Sequence, residues 1–155
     1  MTKLTVTRPP GFLEFHKDSI HQGIHQRFEE QARLHSSRLA LKTRDIALTY
    51  SETNGYANSL AQEILSVLGR ELGQAAILLP NTTEMVISLL AALKAHKTYV
   101  PLDYSFPKER LQVMLDDAEA SILLTDDQHL PLAAPRLAAD VGHPSVILMP
   151  QRHPA

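Results

Sequence analysis

Several residue types that often carry chemistry are scarce or missing in this chain. There is no cysteine, which excludes disulfides, zinc-thiolate sites and a thiol nucleophile, and which fits a reducing cytoplasm. Lys and Arg total 15 against 17 Asp and Glu, so no basic excess attracts nucleic acid or an anionic membrane. The longest nearly apolar run, Met85 to Leu93, is far shorter than the ~20 residues that span a bilayer. We therefore expect a cytoplasmic globular protein with no nucleic-acid or membrane partner.

Glycine-rich loops that cradle phosphates are also missing. The glycines are too far apart for a GxGxxG or GxxxxGK[ST] motif, and they stand at positions 11, 23, 55, 69, 73 and 142. The serines Ser51, Ser88 and Ser105 lack the Gly-x-Ser-x-Gly context of a nucleophile elbow. No motif in the chain therefore predicts a nucleotide site or a serine nucleophile.

The first 69 residues predict a helix, a hairpin and a second helix, after an extended lead-in over residues 1–18. Apolar residues spaced by four from Ile20 to Ala32 form one helical stripe. Two short strand-like runs flank the polar turn "TRD" and predict a hairpin, over residues 39–42 and 46–50. Ser51 is the expected N-cap of an amphipathic helix that ends near Gly69.

The middle of the chain alternates apolar strands with helices. The runs "AAILLP" and "SILLT" are typical of strands buried on both faces of a parallel sheet, and "TYV" is a shorter strand between them. Asn81 with Glu84 resembles a capping box before a helix over 83–95, and Ser105 and Pro107 open the next helix. This order predicts an α/β fold with a Rossmann-like parallel sheet flanked by helices. Beyond residue 130 the pattern weakens, and "SVILMP" is the one further strand candidate.

A histidine pair is the one candidate metal site. His21 and His25 are four residues apart on the first expected helix, and such a pair can share a metal. Gln22 stands where the zincin pattern has Glu, and no third ligand is apparent. We therefore favour a solvated helix face.

The paired carboxylates also have plain explanations. Asp116 and Asp117 fall on the polar side of an amphipathic helix. Asp126 and Asp127 follow a strand end, where open α/β sheets place ligands, although a helix cap or a turn is favoured over catalysis. A small-ligand binder of this fold would hold its ligand near Asn81, Tyr104 or Asp126.

The stretch "LKAHKTYVPLDYSFPKERL", residues 93–111, resembles the second core motif of the adenylate-forming enzymes, and most closely that of the amino-acid adenylation domains of nonribosomal peptide synthetases. The matching residues are Leu93, Lys94, Ala95, Tyr99, Val100, Pro101, Leu102, Asp103, Phe106, Pro107, Glu109, Arg110 and Leu111. The first core motif is matched upstream by Leu48, Thr49, Tyr50 and Glu52, with Thr53 in place of the family's Leu.

The resemblance implies an activity for the complete enzyme. A carboxylic acid attacks the α-phosphate of ATP, with Mg, and the acyl-adenylate passes to a thiol, often the phosphopantetheine of a carrier protein. The family's phosphate-binding loop and catalytic Lys are absent from this chain, so no catalytic, cofactor-binding or metal residue is assigned. The resemblance implies that residues 19–130 form the N-terminal subdomain of an adenylation domain, and that 131–155 are the proline-rich end of a truncated one.

We expect such a fragment to be inactive by itself and to bind no cofactor. It would work with the remainder of a synthetase or with a carrier protein. The alternative is a non-catalytic interaction module that uses an exposed apolar edge of the sheet.

The second motif itself is expected to act as a structural joint. Pro101 ends a strand, Asp103 or Ser105 caps the next helix, and the aromatic residues seal the edge of the sheet. His96 and Lys97 stand where the family prefers Gly, so one of them is expected in the left-handed conformation.

Overall fold

The computed structural model describes residues 17–138 and 142–150. Most of the lead-in expected over residues 1–18, and the last five residues of the proline-rich end, lie outside these ranges. The two lead-in residues that are described belong to a 3₁₀ turn, Lys17–His21, rather than to extended chain.

Helices and strands alternate along the described residues as the apolar pattern predicts. The helices are α1 Ile24–Leu34, α2 Tyr50–Leu68, α3 Thr83–Lys94, α4 Lys108–Asp117 and α5 Leu130–Leu137. The strands are β1 Leu39–Lys42, β2 Ala47–Thr49, β3 Gln74–Leu78, β4 Thr98–Pro101, β5 Ala120–Thr125 and β6 Ser145–Leu148.

The main sheet has four parallel strands in the order β4-β3-β5-β6. Strands β3 and β5 occupy its centre, and Ala75 to Leu78 of β3 are completely buried. This confirms the α/β fold with a Rossmann-like parallel sheet, because only strands covered on both faces read as unbroken apolar runs. The "SVILMP" run supplies the edge strand β6.

Two layers of helices cover the two faces of the sheet. Alternate strand residues point to opposite faces, so Ile77 and Leu124 face α2 and α3 while Leu78 and Leu123 face α4 and α5. Helix α1 lies outside this arrangement and packs on α2 and α3. The core is therefore divided by the sheet into two apolar clusters.

Strands β1 and β2 form the expected antiparallel hairpin and lead directly into α2. The N-cap of α2 is Thr49, so the prediction of Ser51 was wrong. Thr49 Oγ1 accepts a hydrogen bond from the Glu52 N–H at 3.2 Å, and Glu52 Oε2 accepts one from the Thr49 N–H at 2.8 Å. This reciprocal capping box stabilises the first turn of the helix. The helix therefore begins two residues earlier than a cap at Ser51 would place it, directly after the strand that Thr49 ends.

Two other helix starts differ from their predictions. Helix α1 begins at Ile24 rather than at Ile20, because the 3₁₀ turn and Gly23 come first. Helix α3 has Thr82 as its N-cap with no side-chain capping bond, so the capping box expected between Asn81 and Glu84 does not form. The Glu84 carboxylate instead accepts a hydrogen bond from Thr83 Oγ1 within the first turn.

Within the described ranges, no helix is both long enough and apolar enough to cross a membrane.

Candidate functional site

A cleft of about 410 Å³ opens at the carboxyl ends of β3, β5 and β6. Three segments line it: the β1–β2 turn over 43–46, the β3–α3 loop with the start of α3 over 79–84, and residues near the ends of β5 and β6. This is the edge where open parallel sheets place their ligands, and the volume lies within the range of small-molecule sites, roughly 300–1,000 Å³.

Two buried carboxylates belong to the wall of the cleft. Glu84 accepts a hydrogen bond from Thr83 Oγ1 at 3.0 Å through its Oε2 atom. Asp126 Oδ1 accepts the backbone N–H of His129 at 2.8 Å and lies 2.6 Å from His129 Nδ1. Asp126 therefore organises the turn between β5 and α5, as the turn interpretation predicted, while its residue still contributes to the cleft.

Two of the three residues expected near a ligand line the cleft, and the third is connected to one of them through His129. Asn81 and Asp126 both line the cleft. Tyr104 packs its ring against His129, with ring centroids 4.8 Å apart, and His129 in turn pairs with Asp126. His129 is the residue that sequence reasoning missed, because its spacing of three from Asp126 becomes meaningful only once the β5–α5 turn is known.

The second core motif connects β4 to α4 by a side-chain turn. Asp103 Oδ1 accepts the backbone N–H of Ser105 at 2.9 Å. Hydrogen bonds from the Ser105 backbone and side chain hold the pKa of the Asp103 carboxyl below its ordinary value. Pro107 occupies the N-cap of α4, so the expectation that Asp103 or Ser105 caps this helix was wrong. The turn that Asp103 makes is completed before the helix begins.

The aromatic residues of the motif divide between the core and the surface. Phe106 is partly buried against the cluster under α4, and the Arg110 guanidinium lies 4.1 Å from the centre of its ring. Tyr99 and Tyr104 are 36% and 44% exposed. Leu102 is buried and its N–H donates to Ile77 O at 2.8 Å, so the backbone continues the sheet past Pro101. The motif behaves as a joint between strand and helix.

The remaining candidates are not among the residues that line the cleft. His21 ends the 3₁₀ turn and His25 belongs to α1, so they do not share one helix as expected. Nowhere in residues 17–138 and 142–150 do three or more metal-ligating His, Asp or Glu side chains gather. Asp116 and Asp117 are exposed at the end of α4.

The structure, with its parallel sheet between two helical layers, defines a Rossmann-like α/β protein, and comparison with known proteins identifies its family. The sequence matches the family model described as AMP-binding enzyme over residues 28–154. Tyrocidine synthase 1 of Brevibacillus parabrevis is 34% identical over 128 residues, covering 83% of this chain. Surfactin synthase subunit 1 of Bacillus subtilis is 40% identical over 124 residues, covering 80% of it.

Solved structures share the fold. The N-terminal subdomain of Klebsiella oxytoca NpsA superposes over 81% of this chain with a TM-score of 0.65 and 22% identity. The nonribosomal peptide synthetase FmoA3 superposes over 80% of it with a TM-score of 0.69 and 23% identity.

The chain belongs to the family of AMP-binding enzymes, and its relatives are adenylation domains of nonribosomal peptide synthetases. It spans 11% of tyrocidine synthase 1, 3% of surfactin synthase subunit 1 and 31% of the matched NpsA chain. The chain thus corresponds to only a part of these proteins, and the resemblance seen in its two core motifs is confirmed.

Proposed function

We propose that this chain forms the N-terminal subdomain of an amino-acid adenylation domain. In the complete domain, the carboxylate of an acid would attack the α-phosphate of ATP with Mg, giving an acyl-adenylate for transfer to a thiol. The match of the family model to residues 28–154, most of the chain, carries the proposal. Residues 19–130 are its main body, and 131–155 its proline-rich end.

The contribution of this part to the whole domain is architectural. The first core motif joins the hairpin to α2, and the second connects β4 to α4. Neither motif supplies a nucleophile or a phosphate-binding loop. We assign no catalytic, cofactor-binding or metal role to any residue of the chain, so ATP and Mg belong to the complete enzyme. Its partner would be a carrier protein with phosphopantetheine or the remainder of a synthetase, and a cytoplasmic location belongs to the same proposal.

The test compares the chain alone with a chimera. The chain alone should give no ATP–pyrophosphate exchange with any amino acid, because it lacks the phosphate-binding loop. A chimera in which residues 24–150 replace the matching segment of the adenylation domain of tyrocidine synthase 1 should retain exchange. Exchange by the chain alone, or a folded chimera without exchange, would contradict the proposal.

A second candidate is an interaction module without catalysis. Strand β6 is the last strand of its sheet, and its residues Val146 and Leu148 are 38% and 48% exposed. An unprotected apolar edge strand is a template for pairing with another chain. If this is the function, Val146→Lys should abolish self-association in sedimentation without changing the circular dichroism spectrum, whereas an equal charge at exposed Val113 on α4 should leave it unchanged.

A further inference from the structure

A polar cluster joins α1 to the carboxyl end of α3. Lys94 Nζ donates to Glu29 Oε1 on α1 and to Asn54 Oδ1 on α2, the latter at 3.0 Å. The Lys94 side chain is only 5% exposed. A single ammonium group therefore connects three helices. Within α1, Ala32 is the one buried residue and Phe28 is partly buried against the core.

The imidazole of His25 lies beside this cluster, in the first turn of α1. Its ring packs edge-on against the His96 ring, with centroids 6.2 Å apart and an interplanar angle of 83°. The ring also folds back over Gly23, where an added Cβ would come within 2.8 Å of His25 Cε1. Among the described residues, His25 Nδ1 is buried and has no hydrogen-bond partner. The site therefore accommodates a neutral ring.

Three neighbouring features disfavour protonation of His25: the Lys94 ammonium, the His96 ring and the dipole of α1. Protonation would add positive charge beside the Lys94 ammonium and the His96 ring, which come from α3 and the turn after it. It would also place a cation at the N-terminal end of α1, the positive end of the helix dipole. Glu29, on the same helix, attracts the proton, but its carboxylate is already engaged by Lys94. The group supplied by α2 is the neutral amide of Asn54, which faces Lys94.

The direction of the titration agrees with this geometry. Burial lowers the pKa of His25 below 6.5, Glu29 raises it, and Lys94 and His96 lower it further. The folded chain then binds fewer protons at His25 than the unfolded chain does. The stability that neutral His25 contributes is present above pH 6.5 and is lost as the pH falls below it.

We propose that His25, His96 and Lys94 form an acid-sensitive latch, and that protonation of His25 releases α1 from α2 and α3. Release exposes Phe28, which packs against the core and lies 5.6 Å, ring to ring, from Tyr50. We expect the opening to be local, because α1 packs mainly on α2 and α3 rather than on the central strands.

Hydrogen exchange of the whole chain between pH 5 and pH 8 tests the latch. After correction for intrinsic rates, the opening constant of the α1 amides should rise several-fold toward pH 5, while the amides of β3 and β5 stay protected. His25→Phe keeps an aromatic ring without a titrating nitrogen and should remove the rise. His21→Gln, which removes an exposed histidine before α1, should retain it. An equal rise in the His25→Phe variant, or no rise in the unmodified chain, would overturn the proposal.

If the His25→Phe variant does not fold, a second measurement on the unmodified chain tests the latch. The His25 Cε1 proton of the unmodified chain is followed by NMR as the pH falls. The latch requires a midpoint below 6.5, together with chemical-shift changes at Phe28 that follow the same curve. A midpoint at or above 6.5, or Phe28 resonances that do not respond, would show that His25 does not control α1.

Discussion

At the scale of single residues, three helices end in a residue with positive φ, and only one of the three is glycine. Gly69 after α2 has φ 68°, His96 after α3 has φ 56°, and Glu119 after α4 has φ 47°. The expectation of a left-handed residue at His96 or Lys97 is confirmed at His96. Glu119 was not anticipated, since no glycine preference of the family marked that position. Left-handed geometry at a side-chain-bearing residue costs about 1–2 kcal/mol relative to glycine.

Replacing His96 by glycine is expected to raise the melting temperature. The change removes left-handed strain at φ 56°, and the net gain in the free energy of unfolding should be up to about 1 kcal/mol because glycine also gains entropy in the unfolded chain. Thermal denaturation measures the effect. Ala118→Gly is the matched control, because Ala118 has φ −74° and should lose stability instead. A lower melting temperature for His96→Gly would mean that its ring contact with His25 outweighs the backbone strain.

Lys97, the residue after His96, binds carbonyl groups at the end of α2. Lys97 is 3% exposed, and its ammonium donates to Gly69 O at 3.0 Å and to Glu71 O. It therefore satisfies carbonyl groups at the end of α2 from a position after α3. Nothing in the local sequence indicates this contact, because Gly69 and Glu71 lie 28 and 26 positions before Lys97.

Lys97→Met should lower the free energy of unfolding by about 1–3 kcal/mol, since it keeps the apolar stem but leaves two carbonyl groups without their charged donor. Urea denaturation gives the value. The exposed Lys108 at the start of α4 offers a control, and Lys108→Met should change stability by less than about 0.5 kcal/mol. Equal effects at the two lysines would refute a role for the buried ammonium.

At the scale of elements, chain connections decide where helices begin. Thr49 is both the last residue of β2 and the N-cap of α2, so the hairpin and the helix are specified by one residue. Ser51 has the right chemistry for a cap but lies inside the first turn. Asp103 likewise has capping chemistry and instead makes the turn that precedes α4. Residue type predicts that a cap exists nearby, whereas backbone geometry selects which residue provides it.

Thr49→Ala is expected to destabilise the chain by about 1 kcal/mol, because it removes the side chain that accepts the Glu52 N–H. Ser51→Ala at the sequence-predicted cap should have little effect. Chemical denaturation of both variants distinguishes the two assignments. A larger loss at Ser51 than at Thr49 would contradict the observed capping box.

The same capping box predicts a pH dependence. Hydrogen bonds from the Thr49 backbone and side chain lower the pKa of Glu52. The contribution of the box is present above the ordinary carboxyl pKa and is lost as pH falls through the lowered value. Helix content followed by circular dichroism should fall less steeply with acid in Glu52→Gln than in the unmodified chain. Identical acid curves would show that Glu52 makes no such contribution.

At the scale of the whole molecule, the sheet separates two apolar cores, one on each of its faces. Alternate residues of β5 serve different faces, so Leu123 packs toward α4 and α5 while Leu124 packs toward α2 and α3. The cleft lies where the loops from these layers converge on the strand ends. A defect in a central strand should therefore affect both layers.

Leu123→Ala should cost about 2–5 kcal/mol, because the residue is completely buried and its removal leaves a cavity. The same substitution at Leu72, which is 90% exposed, should be nearly neutral. Urea denaturation of the two variants gives the two changes in the free energy of unfolding. A small loss at Leu123 would mean that the central strand tolerates a cavity by collapse, in conflict with the packing described.

The sequence by itself determined the α/β class, the parallel order of strands and helices, the hairpin and the family. These follow from signals within a few residues: unbroken apolar runs, helical periodicity and the motifs around Tyr50 and Pro101. Tertiary structure alone decided that Tyr104 packs against His129, that Lys97 binds the end of α2, and that His25 meets His96. Such contacts depend on which backbone ends the sheet brings together, and no local pattern encodes a distance between chain segments that are remote in sequence.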